Sequence, residues 1–102
     1  MKKTFPLHAP GKADARVLDA IKHDIRKYVK RERGKLLPDG FGVWRFDCKV
    51  GVDGTNAETK DLKEISRAID QVAQAGGASV YVEVIAAPDH HAPAAIPSPG
   101  SP

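Results

Sequence analysis

The sequence predicts a small α/β domain, a two-layer β-α-β-α-β sandwich with a three-stranded sheet and both helices on one of its faces. Three observations predict it. Between about Lys12 and Arg33 the apolar residues fall at 17, 18, 21, 25, 28 and 29, the 3.6-residue period of an amphipathic helix. "VWRFDCKV" (43–50) and "SVYVEVI" (79–85) alternate with the two-residue period of strands. Each of these strands keeps a polar or mixed side, so the sheet is covered on one face and open on the other.

The elements follow in order. "KKTFPL" (2–7) places Phe5 and Leu7 on one face, while Pro6 lacks a ladder donor and directs this strand to a sheet edge. "HAPGK" interrupts the chain, and the long helix follows, with Gly34 expected in the left-handed conformation just beyond its last turn. "LLPDG" turns the chain into the strand 43–50, whose dry face carries Trp44, Phe46, Cys48 and Val50. "GVDGTNAETK" (51–60) reads as loop, with Thr55 and Glu58 spaced as a capping box and Thr59 as an alternative N-cap. In the second helix Leu62, Ile65, Ile69 and Val72 form the apolar stripe, and Gly76-Gly77 ends it. The last strand turns Val80, Val82 and Val84 inward and Tyr81, Glu83 and Ile85 outward. Helices between successive strands favour parallel pairing by right-handed crossovers. The nearest variant is a ferredoxin-like arrangement that lacks one strand or carries a further short strand near 36–43.

Length and composition set the limits. A chain of 102 residues, 41% hydrophobic and 28% charged, suits one soluble domain with a modest core. The globular part is expected over residues 1–88. A disordered tail is expected over 89–102, because five of the eight prolines lie in the last fifteen residues. No apolar run approaches a membrane span, and the N-terminal segment does not read as a signal peptide. The single cysteine fits a reducing compartment, so the cytoplasm is the expected location.

The chain resembles a family of small bacterial proteins that form a domain of unknown function. The resemblance rests on "KKTFPL", "DAIKHDIRKYVKRER" (19–33), "FDCKVG" (46–51) and "YVEVIAAP" (81–88), and covers residues 1 to about 88. It implies a single cytoplasmic bacterial domain and brings no activity or site residues with it.

No catalytic or metal constellation is legible. Cys48 is the only thiol, and alternation sets it on the dry face beside Trp44 and Phe46, the place of a small core residue. His8, His23, His90 and His91 do not make a metal pattern. "GVDG" (51–54) has the glycine spacing of the clamping loop of KH domains, but it leaves a strand and carries Asp53, which would repel phosphate. There is no phosphate-binding loop or dinucleotide fingerprint, so no cofactor is expected, nor enzymatic activity.

Charge is the remaining signal. The net charge of +3 hides an asymmetry: residues 1–54 hold thirteen Lys and Arg against seven acids, residues 55–102 only three against six. "KHDIRKYVKRERGK" (22–35) concentrates it. On a helical wheel Lys22, Arg26, Lys30 and Arg33 share a sector of about 80°, with Lys27 and Arg31 toward the other side of the apolar stripe. Cations near a helix C-terminus suit its dipole, yet like charges four apart cost a few tenths of a kcal/mol each, and few acids here relieve them.

Two function classes remain. The first is a binding module whose basic helix contacts a polyanion such as RNA, with Arg45, Lys49 and Tyr81 on the open sheet face as further candidates. The second is a protein-interaction or homo-oligomeric assembly module that uses the open sheet face.

Overall fold

A computed structural model describes residues 1–90, and the tail expected over 89–102 lies outside the described residues from 91 onward. The elements are β1 (Lys2–Pro6), α1 (Asp14–Arg33), β2 (Val43–Gly51), β3 (Glu58–Lys60), a 3-10 turn (Leu62–Glu64), α2 (Ile65–Gln74) and β4 (Ser79–Asp89). They form one four-stranded sheet in the order β1-β4-β2-β3, antiparallel throughout.

The sheet corrects the three-stranded, parallel-paired expectation. β1 and β2 do run in the same direction, as a helical crossover dictates, but β4 inserts between them and pairs antiparallel with both. In the same way β2 separates β3 from β4, so the two crossovers interleave as split β-α-β units. β4 suits the interior position, because Val80, Val82 and Val84 are wholly buried and a central strand has ladder partners on both sides. β1, with Pro6 at its end, occupies an edge as its sequence predicted.

The fourth strand is not near 36–43. It lies inside the segment read as loop, where Glu58–Lys60 folds back on Cys48–Val50. Three polar residues carry no alternation of hydrophobicity, so nothing local marks them as strand. The hairpin is closed by the Asp53 carboxylate, which accepts the backbone N–H groups of Thr55 at 3.0 Å and Asn56 at 2.8 Å and sits below the usual carboxylate pKa range for that reason. The expected cap at Thr55 and Glu58 is thereby taken up in loop and strand. Helix entry occurs later, where Glu64 accepts the backbone N–H of Asp61 at 3.3 Å.

Gly51 is the tightest point of this hairpin. A Cβ there would stand 2.6 Å from the Ala57 Cα and 2.7 Å from the Asn56 carbonyl oxygen, both backbone atoms. Gly51→Ala is expected to cost about 1–3 kcal/mol, as overpacking does. Urea unfolding with unchanged m would register it as a lower midpoint, and an unshifted midpoint would contradict the reading.

Cross-strand partners share a sheet face, and on one face Phe5 stands opposite Val80, Val50 opposite Val82, and Cys48 opposite Val84. These six join Val17, Ile21, Ile25 and Val29 of α1 and Ile65, Ala68 and Ile69 of α2 in one buried cluster. The fourfold spacing in α1 is the stripe that its sequence predicts. Gly34 departs from expectation. Its φ is −79°, right-handed, and its N–H still bonds the Lys30 and Arg31 carbonyls, so the chain leaves α1 without a left-handed residue there. The left-handed glycine after α2 is Gly76, with φ 85°.

Past β4 the chain remains tied to the fold. His90 stacks on the Phe41 ring with centroids 4.7 Å apart, and its Nδ1 lies 2.9 Å from the Gly40 carbonyl oxygen.

Candidate anion-binding groove

The amphipathic geometry of α1 that buries one stripe also sets Lys22, Arg26, Lys30 and Arg33 beside it, one turn apart. Against them stands the start of α2. The two helices bound a groove of about 520 Å³, with Lys22, Arg26, Lys30 and Arg33 as one wall and Leu62, Ile65 and Ser66 as the other. Ile25 and Val29 contribute to its apolar floor, and no carboxylate lines it. The stems of Arg26 and Lys30 add methylenes to that floor while their heads stay in water.

The four cations are not equivalent. Lys22 donates to the Asp70 carboxylate at 2.7 Å, a bridge from α1 to α2 that closes one end of the groove. Arg33 at the other end sits over the Phe46 ring, 5.4 Å from its centroid. Between them Arg26 and Lys30 are exposed, and neither has an acidic partner among the described residues.

Lys27 and Arg31 face the other flank of α1. Arg31 lies over the Tyr28 ring at 5.4 Å and 3.7 Å from Glu32. With Lys3 and Lys35 they border a second, more open hollow over Met1, Phe5 and Tyr28, and Lys30 borders both hollows. Lys3 and Lys35 escape sequence reasoning because β1 and the turn after α1 reach this flank only in the folded chain. Lys35 is partly spent on Glu32, whose carboxylate it approaches at 2.8 Å and whose pKa it lowers.

Arg45, Lys49 and Tyr81 belong to the opposite face of the sheet; Lys49 and Tyr81 share no hollow with α1, while Arg45 meets Arg33 in a separate hollow that Asp47 and Asp61 also line. Arg45 donates to Asp47 at 3.1 and 3.3 Å and to Asp89 at 3.3 Å, which raises its already high pKa and neutralises its charge locally. Lys49 stands directly across from Glu83. The Tyr81 hydroxyl donates to Glu83 at 2.8 Å, an arrangement that raises its pKa. Gly54 lies against the same ring, where an added Cβ would be 3.7 Å from it. The loop that follows β2 therefore covers part of the platform on which a base would stack.

Cys48 belongs to the core. Burial pushes its thiol up to about 11, and its Sγ–H donates to the Phe46 carbonyl at 3.6 Å. Among the described residues no three His, Cys, Asp or Glu side chains come together in a way that could hold a metal ion, and no helix is long and apolar enough to cross a membrane.

The profile of a family of unknown function (DUF6172) matches residues 1–95. No curated protein and no solved structure matches the chain.

Proposed function

The chain belongs to this family of unknown function, and from the wall of the groove we propose a non-catalytic binding module that holds a polyanion along α1. One observation carries the reading. Arg26 and Lys30 stand exposed between two further cations, in a groove that no carboxylate lines. Asp70 relieves Lys22, but a face shaped only by helix stability would also relieve the like charges at 26/30 with acids one turn away, whereas an anionic chain laid along the groove relieves Arg26, Lys30 and Arg33 together.

The support for RNA comes from α1 alone, since the charges of Arg45 and Lys49 and the ring of Tyr81 face acids and loop on the far side of the sheet. RNA held by four phosphate contacts would show a log–log salt slope of magnitude about 3. A docking role for the open sheet face has less support: Ile85 is its exposed large apolar strand residue, and the neighbouring Asp47, Lys49 and Glu83 are charged.

Retention on a heparin column tests the general reading. A variant with Lys22, Arg26, Lys30 and Arg33 all changed to Gln is expected to elute at distinctly lower salt than the wild type. A second variant with Lys2, Lys12, Lys63 and Arg67 changed to Gln has the same net charge, and it should elute close to the wild type. Gln is a comparable helix former, and because Lys22→Gln removes the bridge to Asp70, unchanged circular dichroism of both variants accompanies the comparison. Equal elution of the two variants would show that net charge, not the groove wall, governs retention.

A further inference from the structure

We infer that the occupant of the α1–α2 groove is an acidic amphipathic helix of a protein partner, an inference that rests on the anion-binding reading of the wall and names the anion. Two features of the groove select it. The wall cations follow the spacing 4, 4, 3 over three turns of α1, about 16 Å along its axis. Lys22 is already held by Asp70, and a partner helix with Glu or Asp at the spacing of the other three meets Arg26, Lys30 and Arg33 one carboxylate per cation, whereas a small anion would use only one or two of them. The apolar lining is aliphatic: Ile25 and Val29 run beneath the cations, and Leu62 and Ile65 face them from the other wall. A helix with apolar anchors at i, i+3 or i+4 and i+7 buries those anchors there, the mode by which amphipathic helices enter grooves.

Nucleic acid fits less well. Bound single strands rest on aromatic platforms as well as on charge, and no aromatic residue lines this groove. A phosphate backbone gains nothing from an aliphatic floor, so a duplex would leave it uncovered. Ser66 sits on the wall opposite the cations and is exposed in the first turn of α2. A carboxylate placed there would pair with the cations and repel an acidic partner. It would also be compatible with α2, since acids are favoured in a helix's first turn.

The test is fluorescence anisotropy on the full chain with three labelled probes. One is a Leu/Glu peptide of about five turns with its Leu on a single helical face. The second has the same composition in scrambled order, and the third is an oligouridylate of equal charge. The amphipathic peptide is expected to bind about tenfold more tightly than its scramble, a difference of about 1.4 kcal/mol, and more tightly than the RNA. Ser66→Glu should weaken it by a similar factor and Ser66→Gln should not, with circular dichroism unchanged in both. Equal binding of peptide and scramble, with retention on heparin still dependent on the wall, would overturn the helix partner and leave the polyanion reading standing. Tighter binding of the oligouridylate, weakened by Ser66→Glu, would also overturn it and make nucleic acid the occupant. If no probe binds and heparin retention is indifferent to the wall, both readings fall together.

Discussion

Ile69→Ala is expected to destabilise the fold by about 2–5 kcal/mol, the cost of removing a buried aliphatic side chain and leaving a cavity. Ile69 is 0% exposed, on the face of α2 that packs against β2 and β4, in the cluster that joins both helices to the sheet. A domain of this size is stabilised by only about 5–15 kcal/mol in total, so the variant loses a large part of its margin. With a urea m-value of about 1–3 kcal/mol/M, the unfolding midpoint should fall by roughly 1 M or more. A shift of a few tenths of that size would mean that α2 is not docked on the sheet as described.

A second large effect is expected at alkaline pH and comes from Cys48. Its thiol has a pKa of about 11 in the folded chain against 9.0 for the free group, chiefly because burial disfavours the thiolate. A raised folded-state pKa sets the sign. Below pH 9 both states carry the neutral thiol and the contribution is fully present. Between pH 9 and about 11 the unfolded chain ionises first, and stability drains away. The loss levels off near 3 kcal/mol, two pKa units at about 1.4 kcal/mol each. Lysines and tyrosines titrate over the same range, so the measurement is the difference between wild type and Cys48→Ala from pH 8 to 11. Half of the folded thiol is still protonated at pH 11, short of the plateau, so over this window the wild type should lose about 2 kcal/mol more than the variant. Parallel profiles would contradict the burial of Cys48, as would rapid alkylation of the native thiol.

The local elements were legible because their signals span only a few residues. The apolar stripe of α1 at 17, 21, 25 and 29, and the inward Val80, Val82 and Val84 of β4, are periodic patterns that reflect one helix or one strand at a time. The edge position of β1 followed from the missing N–H of Pro6. Errors arose where a distant segment decides the outcome. β3 is three polar residues that become strand because β2 offers them a ladder, and Asp53 draws the N–H groups that would otherwise suit a helix cap at Thr55. Gly34 reads as a left-handed terminator, but in the fold its N–H simply continues to the Lys30 and Arg31 carbonyls.

What the sequence by itself determined was the set of main elements, the dry face of each, and the row Lys22, Arg26, Lys30 and Arg33. Backbone geometry places side chains at fixed angles along one helix or strand, so these features need no distant partner. Tertiary structure alone decided that β4 lies between β1 and β2, and that the row is one wall of a groove. That wall needs Leu62, Ile65 and Ser66 opposite it, some forty positions along the chain from Lys22. Only the fold pairs Lys22 with Asp70, brings Lys3 and Lys35 beside α1, and sets Arg45, Lys49 and Tyr81 on the far side of the sheet. Concavity and charge neutralisation depend on which surfaces meet, and a pattern that repeats every two or four residues carries no record of a neighbour so far away.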